Sequence, residues 1–326
     1  PAAQRRNLDV MTDALVTRIV IEGGRATGVT IRRAGTEQTQ SARTIVLSAG
    51  TYASPQILML SGIGPAAQLR NFEIPVLVDA PEVGENLQDH PILPIVYGTT
   101  NTDTLLRAES PRELLRYLLF KRGMLASNGV EGFAFTQVEP GPVDAPDLEL
   151  MFLPFEMREQ FLEPPTRHAF GLGPAVVAPR SRGRVILRSN DPLVPLGIDP
   201  ALLSDGEGID ARVLFEGVRL SRTIAATSPL AELNTGELRP GADVQSDRHL
   251  LDYASTELQT VYHPTSTCRM GSDARSVVDS RLRVRGIEAL WIADASVMPA
   301  VPRGHPNAVV AMIANRGAAW IEEAVS

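Results

Sequence analysis

A chain of 326 residues, 44% hydrophobic and 21% charged, has ordinary globular composition and can bury the cores of two domains or of one large one. Its formal net charge of −7 gives no electrostatic footprint for nucleic acid, which is therefore excluded as a partner. Cys268 is the only cysteine, which excludes an internal disulfide and a cysteine-rich zinc site, and no metal site is predicted.

The longest apolar runs fall short of the roughly 20 residues that cross a bilayer, so no transmembrane segment is predicted in this chain. Nothing in the composition requires an oxidising compartment, and the expected location is cytoplasmic. Because the first residue is Pro1 and not Met, we expect the sequence to be a fragment whose upstream part could carry a targeting signal.

The N-terminal stretch predicts a hairpin followed by a third strand. Residues 15–21 alternate with a β-branched bias, Gly23-Gly24 supplies a turn that can reach positive φ, and residues 26–33 return. Residues 44–47 form the next strand. They lead into three small residues, 48–50, where a backbone or a ligand can approach closely.

A short helix is predicted after this strand. Ser54 is its expected N-cap, Pro55 its first helical position and residues 56–60 its body, with Gly62 at the left-handed stop. The turn and helix start can present backbone N–H groups to an anion, or they can simply form a tight packing turn. The residues alone leave both interpretations open.

Beyond His90 the composition changes, and mixed strands with helices indicate an α+β layer. Ser110 opens a capping box with Glu113. An apolar stripe at helical spacing follows, made of Leu114, Leu115, Leu118 and Leu119. The further predicted elements are strands at 148–153, 175–178 and 184–188, and helices at 209–225 and from Ser246 onward.

Three stretches carry a resemblance to a known family. They are residues 47–65 (LSAGTYASPQILMLSGIGP), residues 83–91 (VGENLQDHP) and residues 262–307, which contain YHPTSTCRMG, WIADASVMP and GHPNA. In that order they resemble the second signature, the loop near the flavin and the catalytic end of the glucose-methanol-choline (GMC) oxidoreductases. Members of this family are flavoproteins that oxidise alcohols, and the resemblance runs through nearly the whole chain.

The resemblance implies an α/β and α+β fold. Residues 1–88 and 259–326 are expected to be parts of a Rossmann-like FAD-binding domain, the second part with the catalytic residues. Residues 89–258 are expected to form a substrate-binding domain with a mixed sheet and helices. The family's Gly-x-Gly-x-x-Gly turn does not occur in the sequence. We therefore expect the C-terminal two thirds of a family member, inactive by itself.

Oxidation of an alcohol to an aldehyde needs a base for the hydroxyl proton and an acceptor for the hydride. No side chain accepts a hydride, whereas a flavin does. His263 and His305 each precede a proline, and histidine titrates nearest neutrality. By resemblance, His263 is the base and His305, a position that is His or Asn in the family, hydrogen-bonds the substrate oxygen.

The resemblance also implies FAD as the cofactor, with the hydride passing to flavin N5. Val16 is expected at the adenine, Asp294 and Ala295 at the ribityl chain and phosphates, and Asn307 at the isoalloxazine. The complete set of expected cofactor-binding residues is Val16, Gly50, Ser54, Asp294, Ala295 and Asn307.

Pro306 is predicted to open a long helix that is apolar nearly all round and therefore buried, with His305 at its N-cap. Since the positive end of the helix dipole disfavours an imidazolium, His305 is expected to stay neutral. Ser266 is a departure from the resemblance, because the family often has glycine at this place.

The expected partners are a small primary alcohol and an electron acceptor, either oxygen or a quinone. Tyr262 with an apolar wall of Leu153, Phe155 and Phe161 favours uncharged alcohols over choline. Two alternatives belong to other functional classes, because fold alone does not settle function. One is an inactive substrate-binding half without cofactor, and the other is a cyanohydrin lyase on the same scaffold.

Overall fold

The computed structural model describes residues 2–141, 144–159 and 162–325. The strands are β1 (Leu15–Glu22), β2 (Arg25–Arg33), β3 (Thr36–Ser41), β4 (Ile45–Leu47), β5 (Ile63–Gly64), β6 (Val78–Asp79), β7 (Pro91–Ile92), β8 (Ile95–Thr99), β9 (Gly132–Thr136), β10 (Leu148–Leu153), β11 (Ala169–Val176), β12 (Arg184–Ile186), β13 (Gly197–Asp199), β14 (Asn234–Arg239), β15 (Gln259–Thr260) and β16 (Leu290–Ile292). The α-helices are α1 (Gly50–Leu60), α2 (Ala66–Asn71), α3 (Pro111–Phe120), α4 (Ile209–Ala225), α5 (Leu230–Leu233), α6 (Asp247–Glu257) and α7 (Asn307–Val325).

The predicted hairpin is confirmed. Strands β1 and β2 pair antiparallel around Gly23-Gly24, both of which have positive φ, as a two-residue turn of this kind requires. Strand β3 extends the sheet beyond β2 and was not predicted. Its six residues are polar and exposed, so they lack the alternation of apolar and polar residues that marks a half-buried strand.

A parallel pair joins the two ends of the chain. Strand β4 pairs with β16, so Ile45 lies opposite Leu290 and Leu47 opposite Ile292. Both strands end at the same edge, which places the small-residue turn 48–50 beside the segment that begins at Asp294. This edge is where open α/β sheets bind ligands.

Helix α1 begins at Gly50 and not at residue 56, so the prediction of Ser54 as its N-cap is wrong. Pro55 consequently lies inside the helix. A proline at this position leaves the carbonyl four residues earlier without its usual donor. That carbonyl belongs to Thr51, and it accepts a 2.5 Å hydrogen bond from the Thr267 hydroxyl. A contact far away in sequence compensates for the proline, and rules for helix starts cannot reveal such a contact.

The second layer is a seven-stranded sheet in which β14, β8, β11, β10 and β9 are successive neighbours and β7 pairs with both β11 and β15. Helix α4 covers this sheet, with Val213, Leu214 and Val218 in its buried face. The predicted strand 148–153 and the predicted helix 209–225 are therefore confirmed. Ser246 caps α6 as expected, since its hydroxyl accepts from the backbone N–H of His249.

The buried hydrophobic residues form three clusters. The largest joins the N-terminal strands and α1 to residues 268–313. The other two lie in the seven-stranded sheet and the helices packed on it. The mixed α/β architecture agrees with the predicted fold class. The boundaries expected at residues 88 and 258 remain predictions.

Helix α7 differs from its prediction in its start and in its burial. Pro306 precedes the helix, and its carbonyl accepts from the N–H of Val310, so His305 lies one residue before the N-cap position. Of the residues in α7, only Ile313 and Gly317 are buried. An apolar helix is buried only where another surface covers it, and the rest of the described chain covers a single face of α7. No helix among the described residues, α7 included, is long and apolar enough to span a bilayer.

Candidate active site

Strand pairing brings two distant loops together at the candidate active site. Strand β15 pairs with β7, with Thr260 opposite Pro91. The residues just before β7 therefore neighbour those just after β15. Asp89 joins the two loops, because its Oδ1 accepts from the backbone N–H of His90 at 2.8 Å and from that of His263 at 2.9 Å.

His263 is half-buried and lies against the fully buried imidazole of His90. The Nδ1 atoms of His90 and His263 are 3.0 Å apart, a hydrogen bond in which one ring donates and the other accepts. Burial, with the proximity of the other imidazoles, lowers the pKa of His263 to about 4 and that of His90 to about 3. Both rings are therefore neutral near pH 7. His90 was missed as a site residue, although it lies in the recognised VGENLQDHP stretch.

The structure brings the two predicted catalytic histidines together. The ring centroids of His263 and His305 are 4.9 Å apart. His305 Nε2 lies 2.9 Å from Oε1 of Glu149, whose side chain is completely buried. Burial raises the pKa of Glu149, and the hydrogen bond with His305 opposes this effect.

Glu149 was also missed by sequence reasoning. It lies in the middle of β10, far along the chain from either histidine, and the other Glu149 oxygen has no hydrogen-bond partner among the described residues. The only sequence signal is a carboxylate inside the apolar run LELMFL. Because a buried charge requires a partner, that signal indicates a polar contact but cannot identify it.

The aromatic surroundings differ from the expected wall. Phe133 of β9 packs edge to face on His305 with ring centroids 5.2 Å apart, and it was not predicted. Leu153 is buried in a core cluster and Phe155 packs against that cluster. Tyr262 is 57% exposed next to His263, whereas Phe161 lies outside the described residues.

Backbone contacts hold the loop of His263 in place. The Thr51 hydroxyl donates to the Pro264 carbonyl at 2.7 Å, and the Ser266 N–H donates to the Ala295 carbonyl at 3.2 Å. Ser266 is fully buried and has φ +82, a region that favours glycine. This conformation gives a physical reason for the glycine that the family often has at this position.

Asp294 forms a clamp at the carboxyl edge of the β4–β16 pair. Its Oδ2 accepts from the Gly50 N–H at 3.0 Å and from the Ser54 hydroxyl at 2.6 Å. Its Oδ1 accepts from the N–H and the hydroxyl of Ser296 at 2.8 and 2.5 Å. The carboxylate is 5% exposed and Ser54 is fully buried, so both side chains have their partners within the protein.

A cavity of about 490 Å³ opens beside this clamp, lined by Val16, Ser48 and Ala49 among other residues. Gly50 adjoins it with φ +84, and no atom lies within 4 Å of the place of a Cβ. Ala295 follows the clamp and is partly exposed, and Asn307 is exposed at the start of α7. Of the six predicted cofactor residues, Ser54 and Asp294 are buried with their side chains bonded to internal partners, and the other four have accessible surface.

The sequence matches the family profiles described as GMC oxidoreductase over residues 1–92 and over residues 179–314. The chain belongs to the GMC oxidoreductase family.

An uncharacterised GMC-type oxidoreductase of Mycobacterium tuberculosis is 44% identical over 98% of this chain and 60% of its own length. Oxygen-dependent choline dehydrogenase of Staphylococcus xylosus is 36% identical over 97% of this chain and 57% of its own length. The crystallised formate oxidase of Aspergillus oryzae, in a study of FAD modification, superposes with a TM-score of 0.91 at 27% identity, over 98% of this chain and 62% of that one. The chain therefore spans about 60% of the length of these relatives.

Family membership indicates FAD as the cofactor, and the residues present are compatible with it. The cavity at Val16 and the open space at Gly50 provide room at the carboxyl edge of the β4–β16 pair, the kind of place where open α/β sheets bind ligands. No group of three or more histidine, cysteine or acidic side chains with metal-site geometry occurs in the described ranges.

Proposed function

We propose that the protein takes part in the FAD-dependent oxidation of a primary alcohol to an aldehyde. The observation that carries this proposal is the pair of histidine rings 4.9 Å apart, one of them held neutral by burial, in a chain of a flavoprotein family. When bound, FAD supplies the acceptor for the hydride that leaves the alcohol carbon. The chain's own residues bind and orient the alcohol and remove its proton.

We assign the role of base to His263. Its Nδ1 shares one proton with His90 Nδ1, and a base at Nε2 requires that this proton reside on His263. His90 then accepts, which leaves the Nε2 lone pair of His263 available for the alcohol hydroxyl. Asp89 accepts from the backbone N–H groups of both histidines, so the position of the His263 ring is set before substrate arrives.

His305 orients the substrate oxygen in this proposal. A neutral His305 that donates to the substrate oxygen carries its proton on Nδ1, so its Nε2 accepts from the protonated carboxyl of Glu149, whose pKa is raised by burial. A carboxyl group behind an imidazole fixes both the ring orientation and the tautomer. This arrangement adds a partner that the resemblance did not provide. The expected neutral state of His305 remains a prediction.

For the cofactor, we propose contacts from Val16 at the adenine end, from the backbone around Gly50, Asp294 and Ala295 near the ribityl chain and phosphates, and from Asn307 near the isoalloxazine. Ser54 acts indirectly, since its hydroxyl is bound to Asp294. Tyr262 and Phe133 offer exposed apolar surface near the histidines for the body of the alcohol, and the preference for an uncharged alcohol over choline remains a prediction. Oxygen or a quinone then receives the electrons, and the cytoplasmic location remains a prediction.

The test uses an FAD-loaded protein with the full length of the relatives, of which this chain spans about 60%, under anaerobic conditions with a series of primary alcohols. We expect bleaching of the flavin absorbance and formation of the aldehyde. Release of an aldehyde from a cyanohydrin without flavin reduction would support the lyase alternative. Binding of alcohol without either reaction would support the inactive substrate-binding half. Oxygen consumption compared with quinone reduction then identifies the acceptor.

A further inference from the structure

Helix α3 exposes its apolar face. The side chains that face away from the protein are 49–67% exposed and are Leu114, Leu115, Leu118, Leu119 and Phe120. Glu113, by contrast, is only 3% exposed, and Tyr117 is half-buried. A surface helix ordinarily turns its apolar stripe inward, so the orientation of α3 is the reverse of the usual one.

Specific polar contacts hold α3 in this orientation. The Glu113 N–H donates to the Ser110 hydroxyl at the N-cap, which confirms half of the predicted capping box. The carboxylate of Glu113, however, accepts from the backbone N–H of Met124 at 3.1 Å and does not return to Ser110. The inward side of the helix is thus tied down by polar groups, and the leucines project outward.

Charge distinguishes this segment from the rest of the chain. Residues 111–122 contain four basic side chains and one acidic one, a net charge of 4 − 1 = +3 in a chain whose formal net charge is −7. The one acidic group is the buried Glu113, and all four basic residues are exposed: Arg112, Arg116, Lys121 and Arg122. An amphipathic helix with leucine and phenylalanine on one face and basic residues beside it is typical of binding to an anionic membrane surface.

We propose that α3 docks this protein onto an anionic phospholipid bilayer, with its leucines among the acyl chains near the headgroups and its basic residues against the lipid phosphates. The helix lies on the surface and does not span the bilayer, because ten residues at 1.5 Å each give a length of only about 15 Å. Basic residues near an anionic leaflet strengthen such binding additively.

A second copy of the chain is a poorer partner for this face. A two-fold contact through α3 would bring each basic residue close to the same residues of the other copy, and juxtaposed like charges are unfavourable. A bilayer with anionic lipids complements both the charge and the apolar stripe.

The experiment is co-sedimentation of the protein with vesicles of phosphatidylcholine alone and of phosphatidylcholine mixed with phosphatidylserine. We expect binding to the mixed vesicles and a weakening of that binding as salt is raised. The double variant Leu115→Glu/Leu119→Glu should lower the partition coefficient by roughly 100-fold, since each buried leucine contributes about a tenfold factor. The matched control is Leu162→Glu/Leu193→Glu, which adds the same charge at leucines that are 81% and 61% exposed elsewhere.

A second pair of variants tests the contribution of the basic side chains to vesicle binding separately from that of the leucines. Arg112→Gln and Arg122→Gln should each lower binding to the mixed vesicles by about fivefold and leave binding to phosphatidylcholine alone nearly unchanged. Equal losses in the α3 variant and in its control would overturn the proposal, as would absence of wild-type binding to the mixed vesicles. A dimer in light scattering that the α3 variant alone dissociates would show instead that a second copy covers this face. None of these readouts depends on catalytic activity.

Discussion

Asp294 and Asp89 are both buried, and they organise two regions of the site in different ways. Both oxygens of Asp294 are filled by donors from Gly50, Ser54 and Ser296, which ties the end of β16 to α1. Asp89 holds two backbone N–H groups with one oxygen and also takes a side-chain hydrogen bond from Thr260, while burial raises its pKa to about 6. The first region is a closed network that stabilises the fold.

The second region keeps unused proton-binding capacity. The imidazoles that Asp89 positions are neutral, and His263 retains a ring nitrogen that no described protein group occupies. A carboxylate whose two oxygens both accept hydrogen bonds holds its neighbours rigidly. A neutral imidazole with one ring nitrogen left without a partner can accept a proton. The comparison teaches that burial alone does not distinguish a structural polar group from a reactive one. In these two regions, the two kinds of polar group differ in how many of their hydrogen-bonding positions are left unfilled.

The largest expected effect is a loss of activity on replacement of His263, which lies in the second region. In the FAD-loaded protein, His263→Ala should lower the rate of flavin reduction by alcohol by roughly 10²–10⁴-fold, the usual contribution of a general base. Bound FAD, measured by absorbance, should be nearly unchanged. The control is His249→Ala, at an exposed position on α6. An unimpaired rate in His263→Ala would remove His263 as the base.

Removal of the Asp294 side chain should affect mainly the free energy of unfolding and not primarily the rate of the reaction. Asp294→Ala leaves four donors without their acceptor, and hydrogen bonds to a charged group contribute about 1.5–3 kcal/mol each before relaxation. We expect a loss of about 3 kcal/mol in the free energy of unfolding, measured by urea titration. Asp252→Ala, at an exposed position on α6, should change it by less than about 0.5 kcal/mol. Equal stabilities of the two variants would contradict the clamp.

The titration of the second region predicts a pH dependence of stability. The folded pKa values of His90 and His263 lie below the unfolded value near 6.5, so the unfolded chain takes up protons first and stability falls as the pH drops below about 6.5. The raised pKa of Asp89 acts in the opposite direction between about pH 6 and 4. Two histidines outweigh one aspartate, and from pH 7 to pH 5 we expect a net loss of about 2 kcal/mol.

A substitution of Asp89 tests its contribution to this pH dependence of stability. Asp89→Asn keeps an oxygen acceptor for the two backbone N–H groups but removes the opposing titration, so the loss between pH 7 and pH 5 should grow by about 1 kcal/mol. Denaturant titrations at the two pH values supply the measurement. Stability that is constant or rises on acidification would show that the histidines are not held neutral by the fold.

A smaller effect is expected at His305, which a buried carboxyl group supports. His305→Ala should lower the rate of flavin reduction by roughly 10–100-fold, since it removes one hydrogen-bonding partner of the reacting oxygen. His305→Asn should retain more activity, because asparagine also donates and accepts. If both variants lost the same activity, hydrogen bonding would not be the main role of this residue.

The smallest effect concerns the loop that follows His263. Ser266 adopts φ +82, and a side chain in this region costs about 1 kcal/mol relative to glycine. Ser266→Gly should therefore raise the free energy of unfolding by up to about 1 kcal/mol. Thr265→Gly, at a buried neighbour without positive φ, is the control and should lower it. A loss of stability in Ser266→Gly would show that its hydrogen bond with Thr265 outweighs the strain.

The sequence by itself determined the elements whose signals are local. The hairpin around Gly23-Gly24, the strand 148–153, the helix 209–225 and the Ser246 cap all follow from periodicity and turn chemistry, which act over a few residues. The motifs around His263 and His305 were equally readable. They also indicated the family that the comparisons show.

Only the tertiary structure decided the partners of those residues. Thr267 compensates for Pro55 inside α1, Glu149 supports His305, and His90 faces His263, all across more than 150 residues of sequence. The outward leucines of α3 and the exposed side of α7 have the same origin, because a periodic apolar pattern identifies a face but not the surface that covers it. Local patterns specify what a residue can form, and the burial that tertiary packing creates decides which polar groups find a partner and which stay free to react.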